Sequence, residues 1–532
     1  MKTLFIFVSI LLIQASCSVD ARSHEHNHLS QQKDAVVDAL TASKLNVYPE
    51  PQFPGELHRS LFPNGFVFGS AGSAYQLEGA AFEGGKGRSI WDDFVALPGR
   101  VIDNSTGNVA TDQYHRYEED VWLMKDVGFD AYHLSISWPR VFPDGIGAVN
   151  QEGVEYYHKV LDALQKAGIE PYVTIYNWDM PSALEDSMDG WLNPKMVEVL
   201  GEFARFCFQE FGGKVKKWMT FNEIHSFVQL GYLSGGFAPG RCSQPYGNCA
   251  KGNSQIEPWI AAHNALNAHA HVVDIYRKEF QKKQNGTIGI KNDCMWYIPL
   301  TDSEEDKKAA QRGLEFYLGW FMDPIVFGDY PLSMRQYLGY RLPKFTEEQK
   351  TLLKGSYDWI GFNHYSTLYA YHTNATFEND SGVGLTSERN GTVIAPVAAS
   401  PWLWIYPSGI RDLLGWIRER YNNPPIHITE NGVDEFNAAD TLPLDQQLND
   451  VTRINYYHDY LQNVLLAIKD GSDIRSYFAW SLMDNFEWAT GYTVRFGLYY
   501  VDFKNNQARY PKASAHWFRK VLKEQNNNQT GA

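Results

Sequence analysis

Ile426-His427-Ile428-Thr429-Glu430-Asn431-Gly432 is the stretch on which the reading of this chain turns. Pro424 and Pro425 lead into a short apolar run, and Asn431-Gly432 ends it, the signature of a buried strand stopped by a turn. One carboxylate, Glu430, stands where the strand runs out. A single acid at the lip of water-avoiding surroundings suits a nucleophile or a proton carrier; it equally suits a strand-end Glu paired with an Arg. Lys217-Trp218-Met219-Thr220-Phe221-Asn222-Glu223 repeats the same grammar and tips the balance. The two acids are far apart in sequence, so only a closed fold brings them face to face. Two carboxyl groups across a sugar are the minimum equipment for glycoside hydrolysis.

Working outward from these stretches, eight strands are predicted, over 66–76, 132–138, 171–178, 217–223, 288–298, 359–366, 426–430 and 475–483. Helices fall between them, over 117–125, 154–167, 194–211, 259–280, 307–321, 409–421 and 454–469, and a last one over 513–523. Val154, Tyr157, Val160 and Leu161 show the spacing of a helix face turned to a core. Alternating strands and helices imply a parallel sheet, and eight units imply closure. The expected fold class is α/β, a single (β/α)8 TIM barrel over 58–523, with Glu223 and Glu430 at the C-terminal ends of strands four and seven. Loops rich in Gly, Asn, Ser and Thr, such as 379–392, read as surface insertions.

The chain has 532 residues, 44% hydrophobic and 20% charged, enough for a large core. A net charge of −15 argues against nucleic acid or an anionic membrane surface as partner. The paired acids make a small-molecule glycoside or oligosaccharide the expected partner. Residues 1–17 carry a charged start, a short apolar run and small residues before Cys17, which reads as a secretory signal peptide too short to span a membrane. Residues 18–57 read as a mobile polar leader and 524–532 as a disordered tail. His24, His26 and His28 lie in that leader, where nothing pre-organises them for a metal. No metal and no organic cofactor is expected. Cys242 and Cys249 bracket a short loop and are expected to pair in an oxidising compartment, whereas Cys207 and Cys294 read as buried free thiols. Sequons at Asn104, Asn285, Asn374, Asn379, Asn390 and Asn528 fit a glycoprotein of the secretory route, extracellular or vacuolar.

Thr220-Phe221-Asn222-Glu223, Ile428-Thr429-Glu430-Asn431-Gly432 and Trp480-Ser481-Leu482-Met483-Asp484-Asn485-Phe486-Glu487-Trp488 together resemble the motifs of glycoside hydrolase family 1 β-glucosidases, in their secreted plant-type branch. The resemblance covers roughly residues 58 to 523. It implies a retaining mechanism, with Glu430 as nucleophile and Glu223 as acid and then base. It implies that Asn222 holds the sugar 2-hydroxyl, that Tyr365 donates to Glu430, and that Asn363 supports the same shell. The glycone pocket implied is Gln76, Glu487 and Trp488, with Trp480 as floor and Phe496 as wall. Trp402 is the implied aglycone platform. A carboxylate at Glu487 repels phosphate, so a phosphorylated sugar is disfavoured.

Two positions depart from the family pattern. Asn177 stands where a glycone-binding His is usual, keeping a donor and an acceptor on a shorter side chain. His133 stands where an Arg supports the nucleophile, and it cannot present a bidentate fork. These changes imply weaker catalysis, or a compensating donor elsewhere. They also keep open a weakened sugar-binding protein, and the same scaffold admits a transglycosylase in which an acceptor takes the place of water.

Overall fold

The computed structural model describes residues 57–376 and 379–523. Eight parallel strands close on one another: β1 (Val67–Ala71), β2 (Ala131–Ser135), β3 (Glu170–Tyr176), β4 (Lys217–Asn222), β5 (Thr287–Asp293), β6 (Trp359–Asn363), β7 (Ile426–Asn431) and β8 (Ile474–Ala479). Each pairs with its neighbour in sequence order. β1 closes the ring by pairing with β8 (Val67 opposite Ser476) and with β2 (Gly69 opposite Ala131). Each strand is followed by a long outer helix: α1 (Gln113–Val127), α2 (Gln151–Ala167), α3 (Met196–Phe211), α4 (Glu257–Ile275), α5 (Glu304–Leu314), α6 (Ser408–Arg420), α7 (Val451–Lys469) and α8 (Ala513–Lys523).

The strands are apolar along both faces because one face fills the barrel and the other packs beneath the helices. The expected inward stripe of α2 is present: Val154, Tyr157, Val160, Leu161 and Leu164 are buried. Burying each such side chain contributes about 1.5–3 kcal/mol, and truncating Leu161 to Ala would cost about 2–5 kcal/mol. Gly168, at φ 76°, ends this helix in the left-handed conformation. α5 begins with Ser303, whose hydroxyl accepts from the Asp306 amide, and carries Glu304, Glu305 and Asp306 in its first turn, where the helix dipole favours acids.

The structure corrects some boundaries. The first predicted strand overruns: β1 stops at Ala71, Ser73 opens a helical turn (Ala74–Leu77), and Gln76 rides on that turn. The fifth predicted strand divides in two. β5 ends at Asp293, and Trp296–Pro299 joins a separate three-stranded sheet with Thr367–His372 and Val383–Thr386. The 379–392 insertion is therefore partly strand. Leu57, assigned to the leader, is already buried. Residues 1–56, on which the expected signal peptide and the three histidines of the expected leader fall, and residues 524–532 lie outside the described residues.

Candidate active site

Glu223 follows directly on β4. Its φ of 44° is left-handed, a conformation that a residue with a Cβ adopts only at some cost. Its amide donates to the Lys291 carbonyl at 2.9 Å, tying this turn to β5. The carboxyl is buried, and Asn363 Nδ2 donates to Oε1 at 2.6 Å. Burial holds its pKa well above the ordinary carboxyl value, and the negative charges of Asp293 and then Glu430 push the same way. Asp293, at the end of β5, is a third buried acid beside the pair. Its Oδ2 accepts from Ser226 Oγ and Tyr317 Oη, both at 2.7 Å, and burial raises its pKa to about 6.

Glu430 stands near the end of β7 in the opposite environment. Lys291 Nζ donates to Oε1 at 2.6 Å, and Tyr365 Oη donates to Oε2 at 2.7 Å. The turn beyond it is clamped. Asn431 donates to the His364 carbonyl and accepts from Tyr477 Oη. Gly432 passes so close to β8 that a Cβ there would lie 1.9 Å from the Trp480 carbonyl oxygen. Glu430 is thus bonded by an ammonium and a phenol, whereas Glu223 is bonded by an amide and held above the ordinary carboxyl range by burial.

Around this pair lie the residues expected of a glycone pocket. Asn177 is 2% exposed, and neither its Oδ1 nor its Nδ2 has a partner among the described residues, so donor and acceptor are both free for a ligand. Glu487 Oε2 accepts from Gln76 Nε2 at 3.3 Å, while Oε1 has no partner. Burial, then the charges of Asp434 and Glu430, hold its pKa well above the usual range. Its carboxyl is therefore harder to ionise than a solvated one. Gln76 is more engaged than expected: Ser73 Oγ donates to its Oε1 at 2.8 Å, and its Nε2 also donates to Asn485 Oδ1 at 3.0 Å.

Trp480 and Phe496 are buried beside this pocket. Trp488 takes a left-handed φ of 52° and stacks on Tyr75 and against Trp91 and Trp178, so much of its ring area is already covered by protein. Trp402 is half-buried and meets the Tyr365 ring edge-on, with centroids 5.7 Å apart. Trp178 Nε1 donates to the Asn222 carbonyl at 2.9 Å, fixing the backbone just before Glu223.

Asn363 stands opposite Glu430 in the β6–β7 register, and its carboxamide bonds to the other acid. It donates to Glu223 and, at 3.4 Å, to Asn222 Oδ1, and it accepts from Thr429 Oγ1 at 2.8 Å. His133 contributes no hydrogen bond to Glu430. Its Nε2 lies 2.8 Å from Thr174 Oγ1 and 3.4 Å from Lys291 Nζ. Lys291 is the compensating donor that sequence reasoning left unnamed. Its signal was a lone Lys in the run Ile288-Gly289-Ile290-Lys291, since a strand buried on both faces does not keep an ammonium without a partner.

Elsewhere, Cys242 and Cys249 are disulfide-bonded, and Cys207 and Cys294 are free and buried. Asn104, Asn285, Asn374 and Asn390 are exposed. Asn379 is already engaged: its Nδ2 donates to Thr373 Oγ1 and the Val383 carbonyl, and a glycan there would take one of the two hydrogens that make these bonds. Asn528 lies outside the described residues. Among the described residues no group of three or more His, Cys, Asp or Glu side chains is placed to hold a metal, and no helix is long and apolar enough to cross a membrane.

The profile of Glycosyl hydrolase family 1 matches residues 58–527. The chain is 51% identical over 475 residues to beta-glucosidase 12 of Oryza sativa subsp. indica, covering 87% of this chain and 93% of the relative. It is 50% identical over 478 residues to beta-glucosidase 40 of Arabidopsis thaliana, covering 88% and 93%. Among solved structures, a rice beta-glucosidase mutant in a covalent complex with glucose superposes with a TM-score of 0.86 at 48% identity, covering 88% of this chain and all of that one.

Proposed function

The chain belongs to glycosyl hydrolase family 1, and from that premise we infer that it is a retaining β-glucosidase. It releases terminal non-reducing β-D-glucosyl residues from aryl or alkyl glucosides or short oligosaccharides. The observation that carries the assignment of roles is the contrast between the two acids. Glu430 is held by Lys291 and Tyr365, whereas Glu223 is kept protonated by burial and by neighbouring acids. In the first step Glu430 attacks the anomeric carbon, and the bond to the leaving oxygen breaks as Glu223 gives that oxygen its proton. In the second, water attacks the glycosyl-enzyme, Glu223 takes the water's proton, and the ester to Glu430 is released. Asn177 and Glu487 present unpaired polar atoms for the sugar hydroxyls, and Trp402 offers an aromatic face for the aglycone. Neither transglycosylation nor sugar binding without turnover is favoured.

The decisive experiment is mass spectrometry after incubation with a 2-deoxy-2-fluoro β-glucoside bearing a good leaving group. A covalent hexosyl adduct on Glu430 is expected. Steady turnover of aryl β-glucosides with no adduct there would overturn the assignment of the nucleophile. The signal-peptide reading of residues 1–17, the Cys242–Cys249 disulfide and four exposed sequons support entry into the secretory pathway and N-glycosylation. Glycosidase digestion of protein secreted by a eukaryotic host tests this; a mass unchanged by digestion would refute it.

A further inference from the structure

The cation beside Glu430 comes from two strands away. Lys291 lies on β5 and Glu430 on β7, with β6 between them. Gly361 of β6 is the register partner of Lys291, and a Cβ on it would lie 3.1–3.2 Å from Lys291 Cα, Cβ and Cγ. The missing side chain on β6 leaves the room in which the lysine stem lies. The Lys291 side chain is fully buried and that of Glu430 is 7% exposed, so little solvent screens the pair. It is the one salt bridge of Glu430 among the described residues. The two carboxylate oxygens are bound by different donors, Lys291 and Tyr365, which fixes both the rotamer and the plane of the group.

His133 approaches the same ammonium from β2. It is completely buried, and burial first, then the Lys291 charge, holds its pKa well below the usual histidine value. A neutral imidazole tolerates an ammonium at 3.4 Å; a second cation in that place would repel it.

We propose that Lys291 is the positioning residue of the nucleophile, and that positions 133 and 291 together supply a single cation to Glu430, carried here by the lysine on β5. The proposal rests on Glu430 being the nucleophile. It makes the two positions exchangeable: moving the charge to residue 133 and clearing residue 291 restores one cation to the site. The groups facing Glu430 are Lys291 and Asp293 from β5, Glu223 after β4, Tyr365 after β6 and Glu487 after β8, and His133 of β2 meets Lys291.

The test compares wild type, Lys291→Thr, His133→Arg and the double variant His133→Arg/Lys291→Thr. Thr suits a strand and leaves room for a longer residue at 133. Lys291→Thr is expected to form the fluoroglucosyl adduct about 10²–10³-fold more slowly than wild type. The acid limb of its kcat/KM profile should move to higher pH, a change that a purely structural role would not produce. His133→Arg alone, with two cations at one carboxylate, is expected to be impaired as well. The double variant is expected to recover at least about tenfold over Lys291→Thr and to return the acid limb toward wild type. Wild-type rates and an unmoved acid limb in Lys291→Thr would overturn the proposal. So would a double variant no better than Lys291→Thr, or one that does not fold, since exchangeability is what is claimed. Absence of any adduct in the wild type would instead overturn the nucleophile assignment, and the proposal with it.

Discussion

Asn363 donates through Nδ2 to Glu223 Oε1 at 2.6 Å, although its register partner on β7 is Glu430. This bond favours the charged form of Glu223 and opposes the burial that keeps it protonated. Asn363→Ala should therefore raise the pKa of Glu223 and leave less of it ionised to act as the base. The second step, which needs ionised Glu223 to take a proton from water, should slow by roughly tenfold, the effect of one hydrogen bond to a charged group. Glycosyl-enzyme would accumulate, seen as a burst of released aglycone in pre-steady-state kinetics. Azide, which needs no base to attack, should restore turnover. A variant without a burst and indifferent to azide would contradict this account.

Asp293 gives a second, pH-resolved expectation. After burial, its charge is the largest influence raising the pKa of Glu223. Asp293 itself titrates near 6, so its negative charge is in place only above that pH. In Asp293→Asn the charge is absent throughout, and Glu223 loses its proton at lower pH. The alkaline limb of kcat/KM should move down in pH, while the profiles of variant and wild type converge below about 6. Ser226 and Tyr317 can still donate to the amide oxygen, so the fold should be unaffected. Coincident profiles across the whole range would show that Asp293 does not tune the acid.

What could be read in the sequence, and what could not, follows from the range of each interaction. The eight strands and both acids were legible because a barrel strand is a short apolar run with a turn at its end, and that pattern is local. Tyr365 and Trp402 followed from a resemblance in short motifs. Lys291 was missed because its partner is 139 residues away and its neighbours spell an ordinary strand. The bond from Asn363 to Glu223 was likewise out of reach, since the two are 140 residues apart. Gln76 was placed on a strand because nothing in 66–76 signals that Ser73 would start a helical turn. The raised pKa of Glu487 depends on its burial and then on the charges of Asp434 and Glu430, which only the assembled barrel brings together.

The Cys242–Cys249 bridge closes a short loop, at a sequence separation of 7. Cross-linking so few residues removes a modest part of the unfolded chain's entropy, roughly 2–3 kcal/mol. The bonded sulfurs pack against the backbone of Gly235 and Gly247, where a Cβ would lie 2.2 Å and 2.6 Å from them. Cys242→Ser/Cys249→Ser should therefore lower the melting temperature by a few degrees, with kcat on a small aryl glucoside unchanged. Melting curves with and without reductant check it: reductant should lower the wild-type transition and leave the variant's alone.

Asn177 offers the sharpest separation of binding from folding. Its side chain is buried at the end of β3 with neither polar atom bonded to the protein, so Asn177→Ala removes no bond from the empty enzyme. An unpaired buried amide is a cost in the free state, and its removal should leave thermal stability unchanged or slightly higher. With substrate bound the balance reverses. A sugar hydroxyl that would have met the amide then faces a void, and a site built to hydrogen-bond a hydroxyl loses roughly ten- to a hundredfold in kcat/KM when the bond goes. Substrates differing at the hydroxyl that Asn177 contacts locate the loss, because the analogue lacking that hydroxyl should be turned over equally by both proteins. Equal loss for every analogue would mean that Asn177 acts on the fold of the pocket and not on the sugar. A lowered melting temperature would mean that it has a protein partner after all.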